Sequence, residues 1–338
     1  MKSQVKLGIS VASCLLIVGG GLVHMTKLPK PGTLAVPVPL ESDLSLSLRK
    51  SIESLRGSVE FQAHEVGRRS SRFSPRQQKL EEFLEDGLAS AGLTVELQDY
   101  KAAGSSFKNI IGTRRGRGNG TLLIATHYDS YGKYPCANSS ATGVAAMIEV
   151  ASMLKGKALD QTIIFALFGT GEQPHRGQDT MGANVWLRKA TKEKIQIDEA
   201  LIVSSFGLFS EGEGIQQSSF PWGLMYPKTA DWVAFYSPFT KRDHAVRALK
   251  RWGTVTELPA RGFASPTWML GMPRADQQPF LDAGIPTVVI SDTGPERDAF
   301  FCSKQDDAYH LNYTRMALRV EALAQYVERW AGELTPSK

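Results

Sequence analysis

The chain has 338 residues, a formal net charge of +5 and 42% hydrophobic residues, the composition of a globular protein with one large domain or two ordinary ones. Its basic residues are scattered and lack the interleaved aromatic residues of a nucleic-acid-binding surface. No repeat or low-complexity tract is present, and we expect no nucleic-acid partner.

The N-terminal segment differs in character from the rest of the chain. Two lysines precede an apolar run, residues 7–25, whose length is close to the ~20 residues that a membrane span needs. We predict a signal anchor at residues 1–28, so that the protein is attached to a membrane by an N-terminal helix and its domain lies outside the cytoplasm, in the periplasm or at the cell surface. A cleaved signal peptide, giving a secreted protein, remains the alternative. A lipoprotein signal at Cys14 is disfavoured because the apolar run continues beyond it.

Residues 29–41 are rich in proline, which is typical of an extended linker. The folded domain is therefore predicted at residues 42–334. Its first part has a helical pattern at residues 44–91, followed by two short strands at 95–97 and 109–111 that a polar loop joins.

The centre and end of the chain alternate buried strands with amphipathic helices. Continuous apolar runs at 162–168, 201–203 and 287–290 are typical of strands buried on both faces. Further predicted elements are strands at 122–125 and 233–236, a helix after Gly143, a helix at 243–252 and a last helix from about residue 314. This alternation predicts an α/β fold, a three-layer α/β/α sandwich with a mixed, mostly parallel central sheet.

Several segments near the predicted strand ends carry short motifs in a fixed order. They are His127-x-Asp129, residues 137–146 (ANSSATGVAA), residues 168–173 (FGTGEQ), Asp276 with residues 279–280 and 283–286, and residues 306–307 and 311–313. Together they resemble the co-catalytic zinc aminopeptidase family of metallopeptidase clan MH, which also includes the glutaminyl cyclases. The resemblance covers residues 65–330 and implies a zinc-exopeptidase-like fold.

The resemblance also implies a site built around two zinc ions. In the family an Asp bridges the metals, and a Glu takes the proton from the metal-bound water that attacks the peptide carbonyl. His127 matches the first metal ligand, and Asp129 matches the carboxylate that orients its imidazole. Ser139 stands where the bridging Asp is expected, and a neutral hydroxyl is a poor bridge between two dications.

Most of the remaining family roles are lost at the matching positions. Glu172 matches a metal ligand, but the general base that precedes it in the family is replaced by Gly171. No carboxylate is available at residues 203–206 for the next ligand, and Cys302 stands in place of the last histidine. His310 is out of register for that last role, and we expect it at the surface where a helix begins.

These losses predict a catalytically impaired pseudopeptidase that binds a peptide or protein partner or acts as a scaffold, with no cofactor. The alternative is an active metalloaminopeptidase or a glutaminyl cyclase-like enzyme that uses one zinc ion held by the remnant site His127, Glu172 and Cys302. The resemblance also places Cys136 at the rim of the same pocket as Cys302. Two interpretations of these cysteines stay open, a disulfide in an oxidising compartment or two unpaired thiols.

Overall fold

The computed structural model describes residues 28–32, 37, 39–70, 74–218, 222–224, 226–265 and 275–332. The predicted signal anchor, apart from Leu28, lies outside the described residues. Within the described part of the chain, no helix is both long and apolar enough to cross a membrane.

The regular elements follow one another from residue 46 to residue 332. The helices are α1 (Leu46–Glu60), α2 (Ser74–Ser90), α3 (Thr142–Met153), α4 (Gly182–Lys192), α5 (Arg242–Val255), α6 (Gln277–Asp282) and α7 (Tyr313–Gly332). The strands are β1 (Thr94–Ala102), β2 (Ser105–Arg114), β3 (Thr121–His127), β4 (Thr162–Phe168), β5 (Glu199–Val203), β6 (Val233–Pro238), β7 (Ala260–Ser265) and β8 (Thr287–Ser291).

The strands form one mixed sheet in the order β1-β2-β4-β3-β5-β8-β6-β7. Strands β4, β3, β5 and β8 are mutually parallel at its centre, whereas β2 and β6 pair antiparallel with this block and β7 runs parallel to β6. The carboxyl ends of the four central strands therefore meet at one edge, where an open α/β sheet normally carries its site.

Helices cover both faces of the sheet, which confirms the predicted three-layer sandwich. Alternate residues of β3 show the two layers: Leu122 and Ile124 belong to a large apolar core with α1, α2, α3, α5 and α7. Leu123 and Ala125 belong to a smaller core with α4 and Phe280 of α6. Because neighbouring side chains of a strand point to opposite faces, a stretch of strand with core on both sides must be continuously apolar, as residues 122–125 of β3 and 163–168 of β4 are.

The structure extends the first two predicted strands into a long hairpin. Ala102 pairs with Ser105, so the loop between β1 and β2 has only two residues instead of a polar segment of eleven. Ala103 and Gly104 both have positive φ angles, 48° and 79°, the conformation that tight hairpin turns require. Strand β7 and helices α4 and α6 were not predicted.

Residues 28–32, at the junction of the predicted anchor and the predicted linker, pack against the domain. Leu28 is 6% exposed and belongs to the larger core, and the carbonyl of Pro31 accepts a hydrogen bond from Ala260 N at 3.0 Å. Because β7 is an edge strand, its backbone has donors that no neighbouring strand takes, and residues 28–32 satisfy one of them. The packed domain thus includes residues before 42.

Candidate functional site

Two residues at the ends of neighbouring strands begin the site. His127 is the last residue of β3 and lies beside Phe168, the last residue of β4. A short turn after β4 then brings Glu172 back to His127, with 3.4 Å between Nε2 and Oε1. Since β3 and β4 are parallel, the sequence pattern of apolar strand followed by polar residue places both side chains at the same edge of the sheet.

A row of charged groups passes through His127 and Glu172. Nδ1 of His127 lies 2.7 Å from Oδ2 of Asp276, which immediately precedes α6. On the other side, Nη2 of Arg176 lies 2.5 Å from Oε2 of Glu172. The side chains of His127, Glu172 and Asp276 are only 12%, 4% and 3% exposed, so the charges face one another with little water between them.

Asp129 does not orient the imidazole, and that prediction is wrong. Its Oδ1 and Oδ2 accept hydrogen bonds from the backbone N–H groups of Gly171 and Glu172, at 2.8 and 3.0 Å. The carboxylate that contacts His127 is Asp276. Asp129 instead fixes the turn that carries Glu172, and its burial raises its pKa to about 7.

Gly171 lies directly against the imidazole of His127. A β-carbon built at residue 171 would lie 2.3 Å from both Cβ and Cγ of His127, a distance that real atoms do not tolerate. The space in which the family's general base would begin is therefore filled by the histidine ring.

The pKa of His127 reflects its two carboxylate neighbours. Burial alone lowers that pKa, but the charge and hydrogen bond of Asp276, together with Glu172, raise it well above its ordinary value. Two buried atoms of this row have no hydrogen-bond partner among the described residues: Oδ1 of Asp276 and Nε2 of His127, which lies 3.4 Å from Oε1 of Glu172. They leave unused polar capacity for a ligand.

Hydroxyl groups occupy two of the positions where the resemblance implies metal-binding carboxylates. Ser139 is buried and lines the same cavity as His127 and Glu172. After β5, Ser204 lines the cavity and Ser205 makes a 3.2 Å hydrogen bond with Ser291. Neutral hydroxyls are weak ligands for zinc, so these substitutions do not supply the missing charge.

The donor atoms of His127, Glu172 and Cys302 are not assembled into one metal site. Two groups in the described part of the chain do bring three suitable donor atoms within 4.8 Å of one another. These groups are Cys136 with Cys302 and Asp306, and Asp298 with Asp306 and His310, and neither contains His127 or Glu172. The residues present thus do not supply the two-zinc ligand set that the resemblance implies.

His310 is less exposed than the surface position predicted for it. It lies in the short turn Ala308–His310 before α7, and its Nε2 is 3.1 Å from Oδ2 of Asp298. Its side chain is 22% exposed and does not line the cavity. His310 thus lies outside the cavity, in one of the two groups of three donor atoms.

The site opens into a cavity of about 570 Å³. Its charged side consists of His127, Glu172, Arg176 and Asp276, while its other walls are largely apolar and include Ile202, Tyr236, Phe263, Val289 and Phe301. An apolar cavity with a few polar groups at one end is typical of a small-molecule or side-chain binding site.

Two arginines that the sequence did not single out are important for this geometry. Arg176, four residues after Glu172, forms an ion pair with it. Arg69 is buried and donates to the carbonyl oxygens of Tyr128, Pro135 and Cys136, which hold the loop that follows β3. The spacing of Glu172 and Arg176 was a usable signal, whereas the partners of Arg69 are distant in sequence.

Residues 109–216 match the model of peptidase family M28. A curated relative from Escherichia coli (strain K12), the uncharacterized protein YfbL, is 25% identical over 283 residues, which cover 81% of this chain and 86% of YfbL. This family match confirms the resemblance that was inferred from the motifs.

Solved structures with the same fold include both aminopeptidases and glutaminyl cyclases. The LapA aminopeptidase of Legionella pneumophila superposes with a TM-score of 0.67 at 14% identity, over 90% of this chain and 78% of LapA. The glutaminyl cyclase of Porphyromonas gingivalis gives 0.64 at 18% identity, over 82% and 98% of the two chains. A Zn-dependent exopeptidase from Parabacteroides distasonis gives 0.60 at 15% identity, over 83% and 98%.

Proposed function

We propose that this chain, which has the zinc-exopeptidase fold and matches peptidase family M28, is a catalytically impaired pseudopeptidase that binds a peptide or protein partner through its cavity. The contact between His127 and Gly171 carries this proposal. A general base must reach the attacking water, and no side chain can begin at residue 171 while the imidazole lies 2.3 Å from where its β-carbon would be.

The surroundings of Glu172 support the same conclusion. One of its oxygens faces Nε2 of His127 and the other faces Arg176 at 2.5 Å. A metal ion bound here would sit beside the guanidinium and compete with it for the carboxylate. Because an arginine stays protonated in proteins, this competing charge is permanent.

The cavity supports a binding role that does not depend on a metal. Its apolar walls suit a hydrophobic side chain or a short apolar segment of a partner. Nε2 of His127 and Oδ1 of Asp276, which have no hydrogen-bond partner among the described residues, offer polar contacts at one end. The proposed ligand is therefore a peptide or an exposed protein segment with an apolar residue beside a polar or charged group.

We also propose that the domain is attached to a membrane and lies outside the cytoplasm, on the basis of the apolar N-terminal segment. Residues 28–32 follow that segment directly and pack on β7 and α5, where Pro31 lies beside Gly253. On this proposal, the membrane lies close to the β7 edge of the domain. Fusion of a reporter enzyme to the C-terminus, active only in one compartment, measures the side on which the domain lies.

A one-zinc enzyme is the second candidate, and it is favoured by Nε2 of His127, a buried donor atom that has no hydrogen-bond partner among the described residues and lies beside Glu172. Metal analysis and an aminopeptidase assay on the purified full chain separate the two candidates. We expect less than stoichiometric zinc after incubation with zinc salt, and no hydrolysis of aminoacyl substrates above the level of Glu172→Ala. Stoichiometric zinc together with hydrolysis that Glu172→Ala abolishes would overturn the pseudopeptidase proposal.

Binding is tested directly with an immobilised peptide library and the wild-type chain. Peptides that bind should lose affinity when the cavity is filled by Ser204→Trp, and binding should be unaffected by Leu97→Trp, a matched control on the exposed outer strand β1. If Ser204→Trp leaves the affinity of every selected peptide unchanged, the cavity is not the binding site.

A further inference from the structure

Cys136 and Cys302 lie next to each other at the wall of the cavity. Their Sγ atoms are 3.8 Å apart, although the residues are 166 positions apart in sequence. Cys136 is fully buried just before the turn Ala137–Ala141, whereas Cys302 is partly exposed and lines the cavity. One thiol is thus accessible to molecules in the cavity, and the other lies directly behind it.

Asp306 holds the two cysteine segments together independently of the thiols. Its Oδ2 accepts a hydrogen bond from Cys302 N at 2.8 Å, and its Oδ1 accepts one from Asn138 N at 2.7 Å. Arg69 adds a hydrogen bond from Nη2 to the carbonyl oxygen of Cys136 at 3.1 Å. The approach of the sulfur atoms is therefore set by the backbone of both loops.

Both cysteines have left-handed backbone conformations, with φ angles of 48° for Cys136 and 52° for Cys302. Residues with a β-carbon rarely adopt this region, and glycine or asparagine would be accommodated more easily. Two such residues whose side chains meet indicate that the loops are shaped to bring these side chains together.

We propose that Cys136 and Cys302 are a redox-active pair that forms an intramolecular disulfide. The thiolate of Cys302 attacks one sulfur of a small-molecule disulfide such as oxidised glutathione, which releases one reduced thiol and leaves a mixed disulfide. The thiolate of Cys136 then attacks the sulfur of Cys302, forms the internal bond and releases the second thiol. The dithiol loses two protons and two electrons, and the small-molecule disulfide takes up both.

The disulfide ties together two loops that the resemblance assigns to the metal site. Cys136 lies three residues before Ser139, and Cys302 stands at the position of the last histidine ligand. A covalent link there holds the cavity wall in the way that a shared metal would. The disulfide also makes the sulfur of Cys302 unavailable as a metal ligand, and its formation requires no peptide ligand.

Thiol counting on the full chain tests this proposal. Cys14→Ser serves as the background, because it leaves Cys136 and Cys302 as the remaining cysteines. After incubation with oxidised glutathione, alkylation followed by mass spectrometry should find both thiols blocked and a cross-linked peptide pair, and reduction should restore two alkylated sites. The melting temperature should fall on reduction in this background but not in Cys136→Ser or Cys302→Ser.

Three results would overturn the proposal. The first two are measured on the Cys14→Ser chain, in which Cys136 and Cys302 are both present. One is alkylation of both thiols after oxidation. Another is glutathione retained on Cys302 while Cys136 stays free. The third is protection of both thiols by one equivalent of zinc under oxidising and reducing conditions alike, which would indicate a metal site with Asp306.

Discussion

The imidazole of His127 lies against the bare Cα of Gly171, so that a β-carbon at residue 171 would be 2.3 Å from Cβ and Cγ of the histidine. Both residues are fixed from other directions. His127 is held by Asp276 at 2.7 Å, and the N–H of Gly171 donates to Asp129 at 2.8 Å. Neither can yield without breaking a buried hydrogen bond.

Gly171→Ala should therefore destabilise the domain by about 1–3 kcal/mol, the usual cost of overpacking. Urea unfolding measures the change, and Gly57→Ala is the matched control, because a β-carbon at Gly57 in α1 meets nothing within 4 Å. In a His127→Gly background the added methyl group should cost much less, since both the β-carbon and the ring that it meets are gone. Equal costs in the two backgrounds would show that the ring does not fill this space.

The central strands could be predicted because their burial on both faces appears in the sequence as continuous runs of apolar residues. Strand β4 at Thr162–Phe168 matches the predicted range, since a strand covered on both faces must be continuously apolar. Strand β7 was missed because it lies at the sheet edge and its residues 260–265, ARGFAS, mix small, charged and aromatic types. Helix α6 has only six residues, too few for a periodic signal.

From the sequence, only the site residues that directly follow predicted strands could be placed together. His127 and Glu172 follow apolar runs, so their convergence could be inferred. The contact of His127 with Asp276 joins residues 149 positions apart, and its choice over Asp129 depends on where α6 packs. The filled space at Gly171 depends on a side-chain orientation that no sequence pattern encodes.

Arg69 organises the loop after β3, and its replacement should be costly. The guanidinium is buried and donates to carbonyl oxygens and to Oγ of Ser140 through Nε, Nη1 and Nη2. Lysine keeps the charge but has three donors on one atom, so several buried acceptors would lose their partner. We expect Arg69→Lys to lower the free energy of unfolding by about 3 kcal/mol or more. Arg115→Lys, at an exposed position, should change it little, and equal effects of the two would contradict this role for Arg69.

Asp231 is fully buried between two arginines of α7. Nη1 of Arg315 lies 2.5 Å from its Oδ1, and Arg319 contacts the same oxygen. Asp231→Asn would leave the buried guanidinium of Arg319 without its counter-charge, and that of Arg315 with only the exposed Glu211. We therefore expect a loss of about 3–5 kcal/mol in urea unfolding. Asp86→Asn, on the exposed face of α2, is the control and should stay within about 0.5 kcal/mol of the wild type. A small effect of Asp231→Asn would mean that the arginines are solvated from elsewhere.

The pairing of His310 with Asp298 should make stability depend on pH. Burial lowers the pKa of His310, but the hydrogen bond and charge of Asp298, with Asp306 nearby, raise it above the ordinary value of 6.5. The pair therefore stabilises the fold fully below pH 6.5, and its contribution is lost as the pH rises through the folded pKa. The difference in unfolding free energy between the wild type and His310→Gln should shrink from pH 6 to pH 9. A difference that grows with pH would contradict this sign.

Because Leu28 packs on the domain, we predict that no flexible linker separates the N-terminal apolar segment from the first residues that contact the domain. Leu28 is 6% exposed and occupies the space above Gly262, where a β-carbon would lie 2.9 Å from its Cδ1. Leu28→Asp should lower the unfolding free energy by about 2–3 kcal/mol, because it loses the burial of a leucine and places a carboxylate in an apolar core. Leu40→Asp is the matched control, since Leu40 is 71% exposed and should tolerate the charge. If both variants melt like the wild type, residues 28–32 are not held on β7 and the membrane need not lie beside that edge.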